Sequence, residues 1–212
     1  DVLRPDVVLT IADRYETIAT AIAAAYQNIP LAHIQGGEVT GSIDEKVRHA
    51  VTKLSDLHLV ANEQSAKRVI RMGEDLSKVY TTGCPSIDLV ADVLHKTGYL
   101  DRSQQIKGVG ANVDLDQRYL VVMQHPVTYE WDEAKVQMEI TLEAVASLGM
   151  PTLWFWPNVD AGSDASSRAI RVFREKHGDT YFRFVKNLPP EAFLELLSKA
   201  SCLIGNSSVG VR

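Results

Sequence analysis

Short apolar runs rich in β-branched and aromatic residues recur along the chain. They are separated by longer stretches in which apolar positions return every three or four residues. The short runs fall at residues 6–11, 31–34, 57–61, 78–82, 119–124, 152–156, 181–185 and 202–204, and few alternate with polar residues. Near-continuous apolar character is what strands buried on both faces of a parallel sheet show. The longer stretches, at 15–28, 43–54, 63–71, 86–95, 131–148, 163–176 and 190–199, predict helices. Pro190 suits a first helical turn, where its missing N–H would have no partner in any case. Regular alternation of the two patterns with short connections predicts an α/β protein built on doubly wound parallel sheets.

The pattern breaks once. Residues 97–116 are polar and glycine-containing, with poor periodicity. Long structureless loops inside compact domains are uncommon, so this segment is expected to be a crossover between two α/β domains, at 1–96 and 117–212. Gly108-Val109-Gly110 within it lacks the preceding strand and following helix of a dinucleotide fingerprint.

Bulk properties narrow the function classes. The chain has 212 residues, 45% hydrophobic and 23% charged, with a net charge of −5. That balance gives no basic face for nucleic acid. No apolar run reaches the roughly 20 residues of a membrane span, and no Lys-rich amphipathic helix suggests a membrane surface. Cys84 and Cys202 stand far apart, so a reduced, cytoplasmic setting is expected. The chain opens on Asp1-Val2-Leu3 without a methionine and closes on Gly210-Val211-Arg212, and is read as a piece of a longer protein.

Candidate chemistry gathers where strands give way to helices, the rim on which α/β proteins bind ligands. Asp13-Arg14 follows the first strand, and Asp13 equally suits the role of N-cap. His33-Ile34-Gln35-Gly36-Gly37-Glu38 turns on a glycine pair and leads into a helix carrying Arg48 and His49. Asp44 is either a cap of that helix or a functional carboxylate, and Glu38 is either functional or simply solvated. Gln124-His125-Pro126-Val127-Thr128 closes another strand, and Trp156-Pro157-Asn158-Val159-Asp160-Ala161-Gly162 a third. In Ile204-Gly205-Asn206-Ser207-Ser208, small and hydroxyl residues follow a strand and enter a helix. Backbone N–H groups and hydroxyls so placed suit a phosphate, and equally an ordinary cap. No metal-ligand spacing, nucleophile elbow or Walker loop occurs. On the residues alone, this is an α/β protein with an anionic-ligand site, and no reaction is named.

Taken together and in order, these segments resemble the UDP-N-acetylglucosamine 2-epimerase family, in its hydrolysing branch. The resemblance rests on Ala12-Asp13-Arg14, His33-Ile34-x-Gly36-Gly37-Glu38, Gly41-Ser42-Ile43-Asp44, Arg48-His49-Ala50, Thr52-Lys53-Leu54, Gly83-Cys84-Pro85-Ser86, Gln124-His125-Pro126-Val127-Thr128, Pro157-Asn158-x-Asp160-Ala161-Gly162 and Gly205-Asn206-Ser207-Ser208-x-Gly210-Val211-Arg212. It implies a glycosyltransferase-B-like fold of two Rossmann-like domains with a cleft between them, both incomplete here. It also implies a homodimer or homotetramer for the whole protein.

The implied reaction eliminates UDP across C1–C2 of UDP-N-acetylglucosamine to give 2-acetamidoglucal. Water then adds with inversion at C2 to release N-acetylmannosamine, as in sialic acid biosynthesis. Neither metal nor nicotinamide is implied. By the family match Asp13 and Asp44 are catalytic carboxylates and His125 lies near the leaving diphosphate. Asn206, Ser207 and Ser208 with Gly205 hold phosphates, and Arg14 and Arg212 add positive charge. His33, Gln35, Glu38, Asn158 and Asp160 contact the substrate. Gln35 departs from the pattern: many relatives carry Glu there, assigned an acid-base role that an amide cannot perform. Asp13 and Asp44 with Glu38 suffice, or the substrate is a UDP- or GDP-linked diacetamido sugar, or activity has been lost. Outside this branch stand a non-hydrolysing epimerase, a glycosyltransferase and a non-catalytic sugar-nucleotide binder.

Overall fold

The computed structural model describes residues 3–96, 98–101, 106–178 and 181–210, so Arg212 lies outside the described residues. The chain divides into two compact units, Asp1–Ile87 and Asp88–Arg212.

The first unit alternates β1 (Val8–Ile11), α1 (Tyr15–Tyr26), β2 (Leu31–Ile34), α2 (Ile43–Leu54), β3 (Leu57–Val60), α3 (Glu63–Arg71) and β4 (Val79–Thr81), and α4 (Pro85–His95) follows. Its strands are all parallel, in the order β1-β2-β3-β4. Sequential order with right-handed crossovers carries the connecting helices to one face. On that face Val8 and Leu31 pack against Ala21, Ala24 and Val51. Leu9 and Ile11 point the other way and are exposed, so β1 is covered on one face only, contrary to its apolar run.

Local chemistry sets the helix starts. Ser42 caps α2 by accepting the Asp44 N–H (3.2 Å), and Asn62 caps α3 by accepting that of Ser65 (2.9 Å).

The second unit contains β5 (Val109–Gly110), β6 (Leu120–Met123), α5 (Ala134–Ala146), β7 (Thr152–Phe155), α6 (Ser163–His177), β8 (Phe182–Val185), α7 (Pro190–Lys199) and β9 (Cys202–Gly205). The sheet order is β5-β8-β7-β6-β9, parallel except for β5. Both faces are covered. Trp154, Phe184, Met138, Leu142 and Ile170 fill one side, and Tyr119, Val121, Leu153, Phe155 and Leu196 the other.

Two elements differ from expectation. Part of the segment read as a crossover belongs to the second unit: Val109–Gly110 pairs antiparallel with β8, and Ile106, Val113 and Leu115 pack on its core. A two-residue strand beside glycines leaves no periodic signal. The fifth helix starts at Ala134, because Thr128–Glu130 forms a separate short 3-10 turn.

Glu195 fastens the same region. Its buried carboxylate accepts the N–H groups of Gly98, Tyr99 and Leu100 at 2.8–3.2 Å, and the Lys199 ammonium at 2.8 Å. The Lys199 hydrogen bond, aided by those backbone donors and opposed by burial, lowers its pKa to about 2.

Candidate functional site

In the first unit the chain leaves β1 through Ala12, whose φ of 58° lies in the left-handed region. Asp13 follows, about a fifth exposed, and its carboxylate pairs with the guanidinium of the fully buried Arg48 on α2. Arg14, not Asp13, occupies the N-cap of α1, and no side chain caps that helix. Asp13 is therefore free of the structural role its position suggested.

Arg48 joins this carboxylate to the glycine turn. Its Nη1 donates to the Glu38 carbonyl at 2.7 Å and reaches the Thr40 hydroxyl at 3.5 Å. Asp44 stands one turn before Arg48, and i,i+4 spacing places the two on one face of α2. Since Ser42 is the N-cap, Asp44 lies exposed in the first turn, its Oδ2 accepting the Ser42 hydroxyl (3.1 Å). Glu45 shapes the approach: one carboxylate oxygen accepts the N–H groups of both Thr40 and Gly41 at 2.8 Å. Gly37 has no alternative, because at φ 77° an added Cβ would collide with the Ser65 carbonyl.

His33 and Gln35, expected as substrate contacts, are both buried. His33 has no exposed surface. Its Nε2 lies 2.9 Å from the Ala12 carbonyl, which fixes the proton on that nitrogen, and Nδ1 meets the Thr52 hydroxyl at 3.2 Å. Burial lowers its pKa to about 4; the Ala12 carbonyl opposes the shift and nearby His58 adds to it. His33 thus anchors the turn that presents Asp13. Gln35 is 3% exposed at φ 63°, and its amide donates to Cys84 Sγ at 3.0 Å. Both side chains are committed inside the fold because β2, which carries His33 and leads into Gln35, is the second of four strands, flanked by β1 and β3.

In the second unit the carboxyl ends of β6, β7 and β9 converge. Asn206 and His125 exchange hydrogen bonds: the His125 N–H donates to Asn206 Oδ1, and Asn206 Nδ2 to the His125 carbonyl, both at 2.8 Å. The Asn158 N–H donates to His125 Nδ1 at 3.2 Å. An accepting Nδ1 leaves the proton of the neutral ring on Nε2, so His125 is set as a donor there. Gly205 sits at φ 135°, where an added Cβ would strike the Met123 carbonyl.

Asn206 thus holds both the N–H and the carbonyl of His125 with its side-chain amide, and the Asn158 backbone meets the His125 ring. Ser207 Oγ accepts the Val209 N–H at 3.5 Å, and Ser208–Gly210 forms a 3-10 turn where a helix was expected. The Asp160 carbonyl accepts the Ser163 N–H ahead of α6. Arg14 is 40% exposed and pairs with Glu16 at 3.4 Å. Among the described residues no group of His, Cys, Asp and Glu could hold a metal ion, and no helix is long and apolar enough to cross a membrane.

Residues 1–212 match the family described as UDP-N-acetylglucosamine 2-epimerase over their whole length. The chain belongs to the UDP-N-acetylglucosamine 2-epimerase family.

It is 37% identical over 207 residues to the UDP-N,N'-diacetylbacillosamine 2-epimerase (hydrolyzing) of Legionella pneumophila, covering 98% of this chain and 52% of that one. It is 31% identical over 212 residues to the UDP-N-acetylglucosamine 2-epimerase of Neisseria meningitidis, covering 100% of this chain and 53% of that one. The crystal structure of the Neisseria meningitidis UDP-GlcNAc 2-epimerase bound to UDP-GlcNAc superposes with a TM-score of 0.75 at 20% identity, over 96% of this chain and 55% of that one. The glycosyltransferase-B-like fold is thereby established, and the chain spans about half the length of the curated relatives it matches.

Within this chain, the sequence pointed to the junctions but not to the work of Arg48, Thr52 and Glu45. Arg48 was visible as a cation on the helix after the glycine turn. Its complete burial was the part that no spacing could reveal.

Proposed function

We propose that the whole protein is a hydrolysing 2-epimerase that converts UDP-N-acetylglucosamine and water to N-acetylmannosamine and UDP. The pairing of Asp13 with the buried Arg48 carries this reading. A carboxylate held by a guanidinium stays ionised and fixed, as stabilisation of a developing oxocarbenium ion requires. Asp44 on the same helix face then serves proton transfer.

In the first step the C2–H proton passes to a carboxylate. Its electron pair forms the C1=C2 bond, and the C1–O pair leaves with UDP. His125, with Nε2 as donor, assists the departing diphosphate, and backbone N–H groups and hydroxyls of 205–208 bind it. In the second step water gives its hydroxyl to C1 and a proton returns to C2 on the opposite face. Gln35 takes no proton in this scheme, consistent with its burial against Cys84.

A second reading, supported by the 37% identity to the Legionella pneumophila protein, is the same chemistry on a UDP-linked diacetamido sugar. Supplying the whole protein with each sugar nucleotide and no acceptor distinguishes the readings. Free UDP from UDP-N-acetylglucosamine supports the first, and free UDP only from the diacetamido compound supports the second. Formation of UDP-N-acetylmannosamine without free UDP contradicts both.

A further inference from the structure

Arg68 stands on α3, half-buried, and its Nη1 donates to the Gly37 carbonyl at 3.1 Å across 31 residues of sequence. Among the described residues it pairs with no carboxylate. Its place is therefore not that of a surface ion pair, and the glycine turn is what it holds. The turn rests on the same helix: a Cβ added at Gly37 would strike the Ser65 carbonyl and the Val69 side chain. Ser65, Arg68 and Val69 follow at intervals that share one helical face. The backbone at Gly37 thus lies directly on α3, and Arg68 closes over it.

The rest of the turn is held from α2. Arg48 donates to the Glu38 carbonyl at 2.7 Å, and Glu45 Oε2 accepts the Thr40 and Gly41 N–H groups at 2.8 Å. The Gly41 and Thr40 N–H groups keep the Glu45 carboxyl below its ordinary pKa; burial opposes them, and the charges of His49 and Arg68 add to them. Every one of these bonds joins a backbone group to a charged side chain, the stronger kind of hydrogen bond. A glycine pair has little stiffness of its own, so these side chains set the path of the turn. That path carries Glu38 and leads through the Ser42 cap to Asp44.

We propose that Arg68 is a positioning residue of the epimerase site. Together with Glu45 it forms a clasp that holds residues 37–41 so that Glu38 and Asp44 are presented to the sugar. The positioning role rests on the epimerase reading, and the clasp does not.

The test uses the whole protein. R68M removes the donor and keeps the bulk, R68K keeps the charge without the fork, and K67M controls for a charge lost from the exposed side of α3. UDP release from the sugar nucleotide gives kcat and KM, and hydrogen exchange by mass spectrometry follows the peptide spanning residues 36–42. In R68M kcat falls roughly tenfold or more, the loss expected when a reacting group is displaced from outside the site. KM changes by less than about twofold, as for an interaction expressed in the transition state. Exchange in the peptide quickens by roughly tenfold, the loss of one charged hydrogen bond. R68K recovers part of both effects, and K67M shows neither. E45Q loosens the clasp from α2, gives the same pattern, and decides the matter if R68M does not fold. Unchanged exchange in R68M and E45Q would overturn the clasp, and faster exchange with unchanged kcat would overturn the positioning role. A parent protein that releases no UDP from either sugar nucleotide counts against the epimerase reading, and exchange then decides the clasp by itself.

Discussion

Asn206 and His125, just beyond the ends of the neighbouring strands β9 and β6, are joined by two hydrogen bonds of 2.8 Å between the Asn206 side-chain amide and the His125 backbone. The position of the imidazole therefore depends on a residue remote in sequence. Asn206→Ala removes both bonds, each worth about 1 kcal/mol. UDP affinity measured by calorimetry on the whole protein should fall about tenfold, and unfolding free energy by about 1–2 kcal/mol. Unchanged affinity would show that the bridge does not position the diphosphate site.

Arg48→Met should destabilise the first unit by about 3–5 kcal/mol, because Asp13, the Glu38 carbonyl and the Thr40 hydroxyl lose one shared buried donor. Arg48→Lys keeps the charge but not the forked geometry, and should recover part of that loss. In the double variant with Asp13→Asn stability should return further while turnover stays lost. Denaturant unfolding and kcat measured side by side separate the two effects.

Acid should loosen the first unit before the second. Folded His33 titrates at about 4 against 6.5 for an ordinary imidazole, and burial likewise lowers His58, opposed by Glu74. Both must be neutral to stay folded. Their contribution is complete above 6.5 and is lost as pH falls from 6.5 towards 4, about 3 kcal/mol for His33 alone. Glu195, lowered from 4.5 to about 2, keeps its contribution above 4.5 and loses it only as pH falls towards 2. Urea unfolding followed from neutrality to about pH 4 should show stability rising with pH throughout. A flat profile down to about pH 5 would contradict the buried-neutral assignment.

Gln35→Glu places a carboxyl group at a residue that is only 3% exposed. The charged form is penalised by burial, so unfolding free energy at neutral pH should drop by about 1–3 kcal/mol, and by less in mild acid. Turnover of UDP-N-acetylglucosamine should not rise. A gain of orders of magnitude would mean that position 35 serves acid-base chemistry and that the substrate reading is wrong.

The strands and helices were legible because buried parallel strands leave short continuous apolar runs and helices leave apolar positions every three or four residues; α2, α3, α7 and β2 have the predicted bounds. The edge strand Val109–Gly110 was not, since its pairing is set by Arg183 and the β8 backbone, far along the chain. The site was legible as a set of junctions. Which members face outward was not: His33 and Gln35 lie on a central strand and its exit, while Asp13 lies beyond the end of β1 and Asp44 in the first turn of α2. Burial of that kind is decided by neighbouring strands and α2, which local sequence does not report.

The most direct test of the central claim is isotopic. The whole protein turns over UDP-N-acetylglucosamine in deuterium oxide, and the sugar product is examined at C2. Elimination followed by hydration predicts free N-acetylmannosamine carrying deuterium at C2, in amounts equal to the UDP released, and loss of both in Asp13→Asn. A free sugar with no deuterium at C2, or a product still joined to UDP, would contradict it.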